Sequence, residues 1–274
     1  FAGAVDTYSV EAMTKDGRAV QAGTSHYLGT KFAEAFDIQY LDRNNQLQYV
    51  HTTSWGVSTR LVGSIIMVHG DDRGLVLPPK VAPTQVIMVP VGPPKTREQV
   101  LAKMDELYRQ LKDAGVRVRV DDRDDVSPGW KFNEYEMRGV PIRIELGPRD
   151  MENGVVVLAP RVGGEKRSVP QDKVVEEVVK MLDEIHQAMF ELAKKFREEH
   201  STSVDTLDEL KAYLEEKRGF VEAGWCGSDE CERRVKDETG ATSRNIPFEP
   251  SVRKTKCLAC GGEAAHTVVF ARAY

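Results

Sequence analysis

Four cysteines, Cys226, Cys231, Cys257 and Cys260, stand in the last fifth of the chain as two short-looped pairs, with four residues inside the first pair and two inside the second. A short loop between two thiolates offers two corners of a tetrahedron, and two such loops offer all four. The spacing suits a divalent ion, Zn2+ above all, better than disulfides, and a closed four-sulfur site is structural because no position stays open to water. Four free thiols are the alternative, and His266 could replace one ligand at a poorer spacing. The staple matters for folding. Residues 201–274 read as one short helix begun by Asp205 and then turn-rich chain, too little to close a core unaided.

Two stretches divide the chain, VGPPKTREQ at 91–99 and REEHSTSVDT at 197–206. Three parts result: residues 1–90, 91–196 and 197–274. In the first, YSVEAM alternates like a strand, GRAVQAG runs from strand into a loop at TSHYLG, and KFAEAF reads as a short helix. Thr59 to His69 is apolar on nearly every side, so a buried helix ended by Gly70 is expected. The middle part is more regular. TQVIMVPV reads as a buried strand, and Thr96 with Gln99 forms a capping box for a helix with the stripe Val100, Leu101, Met104, Leu107 and Leu111. VRVRVD turns Val116, Val118 and Val120 inward. Ser127 and Pro128 open a second helix closed by Gly139. VPIRIELG and VVVLAP are strands with the turn GPRDMENG between them, and a long helix covers roughly residues 171–200. The order β-α-β-α-β-β-α implies an α/β unit with a mixed sheet, because its first two strand-helix-strand steps demand parallel neighbours.

Composition excludes several classes. Apolar content of 41% is that of a globular chain, and the longest apolar runs, VIMVPV and SIIMV, are far too short to cross a bilayer. The formal net charge is −5, and positive and negative charge nearly cancel within each part, so no basic tail grips nucleic acid through phosphates alone. The opening FAGAVDTYSV has neither an initiator methionine nor a basic stretch leading into an apolar one. The expectation is a cytoplasmic protein without a secretory signal, either processed or a fragment.

GxxxxGK[ST], GxGxxG after a strand and GxSxG do not occur, so any anion must be held by arginine and hydroxyls. Ser58, Thr59 and Arg60 offer two hydroxyls and a guanidinium at a helix start, where free N–H groups favour an anion, and Gly56 would let a ligand lie against backbone. The plain alternative is a capped helix whose arginine pairs with an aspartate such as Asp71. Gln21, Thr24, Ser25 and His26 form a second polar cluster in apolar surroundings, suited to a small polar ligand unless His26 is simply satisfied by backbone. In the middle part, Arg117, Arg119, Arg123, Lys131, Arg138 and Arg143 lie among Trp130, Phe132 and Tyr135. Stacking faces beside directional donors are what splayed single-stranded RNA bases require, although Asp121, Asp122, Asp124 and Asp125 fit a solvated face equally well.

QAGTSHYLG, TTSWGVSTRLVGSIIMVHGDDRGLVLPPKVAPTQVIMVPVG, DDRDDVSPGWKFNEYEMRGVP and the terminal VVFARAY together resemble prolyl-tRNA synthetases of the archaeal or eukaryotic-like type, also found in some bacteria. The resemblance runs in order over the whole chain, and WGVSTR is similar to motif 3 of class II aminoacyl-tRNA synthetases. It implies an α+β and α/β chain: residues 1–90 as the end of a class II catalytic domain built on an antiparallel sheet, 91–196 as an α/β anticodon-binding domain with a mixed sheet, and 197–274 as a small zinc-binding α+β extension. It further implies that Arg60 stacks on adenine and reaches the phosphates of ATP, with Gln21, Thr24, Ser58 and Thr59 contacting the same nucleotide. His26 would sit in a proline pocket walled by Trp55 and Gly56, and Tyr274 would fold back towards the active site. ATP with Mg2+, a structural Zn2+, L-proline, tRNA(Pro) and a homodimer are the implied cofactors and partners. The anticodon residues expected are Arg123, Lys131, Arg143 and Glu145, which sit near strand ends or helix starts where base edges can be read. Motifs 1 and 2 of such enzymes are not in these residues, so the chain is expected to be the C-terminal portion of a longer synthetase, inactive alone.

Two other readings compete. One is a non-catalytic RNA-binding accessory protein that kept an anticodon-type domain; the TSH and STR clusters speak against it, since it would have no need of ATP and amino acid contacts. The other is a synthetase for threonine, glycine or histidine, to which the cysteine-bearing tail is foreign.

Overall fold

A computed structural model describes residues 1–274, and the chain divides into two compact units, residues 1–68 with 196–274 and residues 69–195. The first unit begins with strands β1 (Asp6–Met13) and β2 (Ala19–Gly29), helix α1 (Lys31–Phe36), the hairpin strands β3 (Gln39–Leu41) and β4 (Leu47–Tyr49), strand β5 (Thr52–Gly56) and helix α2 (Arg60–His69). β1, β2 and β5 form an antiparallel sheet with β2 in the middle. TSHYLG, expected as a loop, is therefore strand: its polar residues pair on both sides, and backbone pairing outweighs their weak strand propensity. Helix α2 forms as expected, but Val62 and Ile66 are exposed and of its side chains only Ser64 is buried. The expectation of all-round burial fails because the helix has only one covered flank.

The second unit is a layered α/β structure. Its elements are β6 (Val86–Pro90), α3 (Arg97–Asp113), β7 (Val118–Val120), α4 (Pro128–Met137), β8 (Ile142–Leu146), α5 (Pro148–Glu152), β9 (Val155–Pro160), β10 (Arg167–Pro170) and α6 (Val174–Glu199), which runs on into the first unit. The sheet order is β10-β9-β8-β6-β7, with β6 parallel to β7 and β8, and β9 antiparallel to β8 and β10, a mixed sheet as the strand–helix order requires. Alternation decides the faces. Val86, Met88, Ile142, Ile144, Leu146, Val156 and Leu158 join the stripes of α3 and α6 in one core. Ile87, Arg143 and Ala159 fall in one cross-strand row on the opposite face. Gly139 ends α4 in the left-handed region at φ +71°, and a Cβ there would stand 2.6 Å from the Leu75 carbonyl oxygen, so the close approach of residues 75–77 requires glycine. Three local expectations change. GPRDMENG holds the short helix α5 rather than a simple turn. The Thr96 hydroxyl donates to the Pro93 carbonyl instead of capping α3, because a 3-10 turn already leads into the helix. β10 was not anticipated at all.

Residues 201–274 are more regular than their turn content suggests. β11 (Ser201–Ser203), α7 (Leu207–Glu216), β12 (Phe220–Trp225), α8 (Asp229–Thr239), β13 (Ala241–Asn245) and β14 (His266–Arg272) build a four-stranded sheet in the order β11-β12-β14-β13. Thr206, not Asp205, caps α7, in a capping box with Glu209. Leu210, Leu214, Val221, Val235 and Phe270 form a core that Cys257 completes, so the cysteines supplement apolar packing rather than replace it.

Candidate functional site

The two polar clusters of the first part meet across β2 and β5. Thr24 is paired with Gly56, Ser25 with Trp55 and His26 with Ser54. On the other side β1 pairs Thr7 with His26 and Ser9 with Thr24, and a bulge then brings Gln21 opposite Glu11. The extra residue restores Gln21 to the face that Thr24 and His26 occupy, which strict alternation would have denied it. Gly56 lets this face close up: a Cβ there would stand 3.3 Å from Thr24 Oγ1. His26 is buried, its Nδ1 lies 3.0 Å from Thr7 Oγ1, and its ring stacks on Phe1 at 4.3 Å. The same register carries Trp55 to the opposite face, with Ser25 and Tyr8, where it is 82% exposed. It therefore does not wall a pocket shared with His26 in this sheet, because neighbours along a strand point to opposite sides.

Ser58, Thr59 and Arg60 follow directly, at the start of α2. Ser58 Oγ accepts from the Arg60 backbone N–H at 3.3 Å, Ser64 Oγ donates to the Arg60 carbonyl at 3.1 Å, and all three residues of the triplet are exposed. Asp71 is not the partner of Arg60. Its carboxylate takes two hydrogen bonds from Arg161, at 2.9 and 2.5 Å, and lies 3.7 Å from Arg73. These hydrogen bonds from Arg161 hold the Asp71 carboxyl down to about 2. Arg60 is exposed at the start of α2, four residues beyond Gly56, the partner of Thr24. At the other end of β2, the backbone N–H of Tyr274 donates to the Ala19 carbonyl at 3.0 Å, so the C-terminus returns to this strand.

The four cysteine sulfurs all lie within 4.8 Å of one another. Tetrahedral thiolates about 2.3 Å from a zinc ion stand about 3.8 Å apart, so the cluster fits the ion with small adjustment. Burial raises the Cys257 thiol, but backbone N–H groups of Cys260, Ala259 and Cys226 outweigh it and bring it down to about 7. Burial, with hydrogen bonds to Cys226 and Cys260, pushes Cys231 up to about 12. Backbone donors thus prepare the Cys257 thiolate, while Cys231 needs a cation to lose its proton.

In the second unit the face opposite the core holds a cavity of about 340 Å³ lined by Arg73, Tyr135, Arg143, Arg161, Glu165 and Lys166 among others. The Arg143 guanidinium carbon lies over the Phe132 ring, 4.1 Å from its centroid, and its Nε and Nη2 donate to Glu145 Oε1 at 3.0 and 2.8 Å. Lys166 Nζ donates to Glu145 Oε2 at 3.0 Å. Donors, a carboxylate and ring faces therefore converge where Arg143 and Glu145 were expected to act. Arg123 is partly exposed over the Trp130 ring at 5.1 Å, and Asp121 and Glu134 hold its inner side, each at 2.6 Å. Lys131 is placed differently. It is 2% exposed, and Nζ donates to the carbonyls of Asp121 and Arg123 at 2.9 and 2.5 Å. An ammonium enclosed in this way supports the loop and does not reach a base. The expectation for Lys131 is corrected accordingly: a place in the first turn of α4 does not expose this side chain, which turns inward onto the 121–123 loop. Lys166 and Arg161 were missed, because the loop that brings Lys166 to Glu145 has no periodicity to reveal it.

Residues 85–181 match the family described as anticodon binding domain, and residues 207–274 match the family described as prolyl-tRNA synthetase, C-terminal. Over its whole length the chain is 62% identical to a proline–tRNA ligase of Symbiobacterium thermophilum, of which it covers 57%. It is 52% identical to a proline–tRNA ligase of Natranaerobius thermophilus, covering 57% of it, and 56% identical to one of Alkaliphilus oremlandii, covering 56%. The chain thus spans little more than half the length of these relatives.

Proposed function

We propose, for a chain whose residues 85–181 belong to the anticodon-binding family and 207–274 to the prolyl-tRNA synthetase C-terminal family, that it is part of an ATP-dependent proline–tRNA ligase. The observation that carries this reading is the register of β2 against β1 and β5, which gathers Gln21, Thr24, His26 and Gly56 on one face, with the exposed Arg60 following β5 at the start of α2. The whole-chain identity to enzymes of that name supports it. The archaeal or eukaryotic-like type is the subgroup we assign, with residues 1–90 as the end of its catalytic domain.

In the reaction, the carboxylate of proline attacks the α-phosphate of ATP, giving prolyl-adenylate and pyrophosphate, and the terminal ribose hydroxyl of tRNA(Pro) then takes the prolyl group. The planar guanidinium of Arg60 stacks on adenine and offsets phosphate charge. Gln21, Thr24, Ser58 and Thr59 supply hydrogen bonds that fix the nucleotide, and His26 lies in the proline pocket. Catalysis of this kind rests on positioning and charge neutralisation rather than on a covalent enzyme intermediate. Mg2+ accompanies the ATP as counter-ion to its phosphates. Cys226, Cys231, Cys257 and Cys260 hold a structural Zn2+, and the enzyme is a cytoplasmic homodimer. The cavity lined by Arg143, Arg161 and Lys166, with Glu145 holding Arg143 and Lys166, receives an anticodon base, and Arg123 and Trp130 offer a further stacking surface. The accessory-protein reading would leave the gathered face of β2 without a purpose. In the full-length enzyme, Arg143→Ala is expected to raise the KM for tRNA about tenfold or more while proline-dependent ATP–pyrophosphate exchange stays within twofold, the loss of one bidentate base contact. An unchanged tRNA KM would remove the cavity from tRNA recognition.

A further inference from the structure

Glu11 is a buried carboxylate at the one irregular step of β1 against β2. Its side chain is 3% exposed, and that of Arg244, from β13, is 15% exposed. Nη2 and Nε of Arg244 both donate to Glu11 Oε2, at 2.8 and 3.1 Å, while Oε1 is buried and receives no donor. Arg244 is in turn held by Thr242, whose Oγ1 accepts from Nη1 at 3.2 Å. The whole compensation of a charge taken out of water thus comes from one guanidinium far along the chain.

The position of this pair gives it consequence. The register passes from Val10 against Gly23 to Glu11 against Gln21, so Glu11 is the cross-strand partner of Gln21 at the bulge that turns Gln21 onto the face of Thr24 and His26. Two further contacts from the C-terminal segment flank the same stretch. The Tyr274 N–H donates to the Ala19 carbonyl at 3.0 Å. Gly17, at φ +76°, packs so closely on residue 218 that a Cβ would stand 2.6 Å from the Arg218 carbonyl oxygen. The start of β2 is therefore held from residues 218, 244 and 274, and of these contacts the ion pair sits at the bulge itself.

We propose that Glu11 and Arg244 are positioning residues for nucleotide binding: through this ion pair the C-terminal segment fixes the bulge that aims Gln21 at ATP. The inference rests on the reading of Gln21 as an ATP contact. Without Arg244 the carboxylate must seek water, which draws β1 outward at residue 11 and turns Gln21 off its face. Nucleotide affinity falls, whereas proline and tRNA contacts, carried elsewhere, are kept.

The test uses the full-length synthetase and three variants, Arg244→Met, Arg244→Lys and the double variant Glu11→Gln with Arg244→Met. In proline-dependent ATP–pyrophosphate exchange, Arg244→Met is expected to raise the KM for ATP about tenfold with kcat within about twofold, and in aminoacylation the tRNA KM stays within about twofold. Arg244→Lys keeps a cation and stays within about threefold of the parent, and the double variant, with no uncompensated charge, recovers most of the loss. A KM for ATP unchanged in Arg244→Met overturns the inference, as does a double variant no better than the single one. A loss falling equally on kcat, ATP and tRNA overturns it too, because it marks general destabilisation. Parent enzyme with no proline-dependent exchange at all would defeat the functional reading and this inference together; exchange intact with unchanged KM defeats the inference alone.

Discussion

Replacing Lys131 by methionine separates a structural lysine from an RNA-reading one. The substitution keeps the buried stem and removes the ammonium. It strips two carbonyls, those of Asp121 and Arg123, of their Nζ donor, and takes away one of two cations beside Asp121, whose side chain is 1% exposed. Arg123 remains on that carboxylate through Nε at 2.9 Å and Nη2 at 2.6 Å, so the charge is not wholly orphaned. Each buried carbonyl left unpaired costs about 1–3 kcal/mol, and losing one partner of a buried pair costs about 3–5 kcal/mol when nothing else compensates. With Arg123 retained and some relaxation of the loop, a total loss of about 3–5 kcal/mol follows. At a urea dependence of about 1–3 kcal/mol per molar, the unfolding midpoint should fall by roughly 1–5 M. Urea unfolding followed by the fluorescence of Trp130, with Trp55 and Trp225 replaced by phenylalanine in both proteins, reads this, and the tRNA KM is measured on protein shown to be folded. A loss under about 1 kcal/mol together with a raised tRNA KM would refute the reasoning and return Lys131 to the RNA surface.

Asp71→Asn tests the Arg161 contact. The folded carboxyl is held near 2, below its unfolded value of about 3.9, so its contribution is fully present above about pH 4 and disappears as pH falls through about 2. Because the carboxylate is 30% exposed, the stability difference from the parent should be about 1–2 kcal/mol at pH 7 and vanish near pH 2; a difference independent of pH would contradict the pairing. Metal analysis should find one zinc per chain, and affinity should fall as pH drops below about 7, because binding displaces thiol protons; Cys257→Ser with undiminished zinc would exclude the cluster as the ligand set.

Where a side chain's role followed from its own periodicity, the sequence could be read. The stripes of α3 and α6 and the alternation of β8 made the second unit's core visible from Val100, Leu111, Ile142 and Ile144 alone. The short cysteine loops likewise announced a cluster that the fold brings together. What escaped depended on tertiary choices. Lys131 and Arg143 have the same charge, yet one is enclosed by the 121–123 loop and the other lines a cavity. The bulge that returns Gln21 to the face of Thr24 exists only because β2 pairs with β1 in that register, and Arg244 reaches Glu11 across a sequence separation of 233 residues. α8 was hidden for another reason: DECERRVKDET is polar on most sides and buries little beyond Val235 and Thr239.

Nucleotide binding by Arg60, at the start of α2, together with the face formed by Gln21, Thr24 and His26, is the proposal on which the functional reading rests. Proline-dependent ATP–pyrophosphate exchange by the full-length protein, with and without Arg60→Ala, addresses it directly. The account predicts robust exchange in the parent and a loss of about a hundredfold or more in kcat/KM in the variant, with tRNA binding unchanged. Exchange that proceeds equally well without this guanidinium would contradict it.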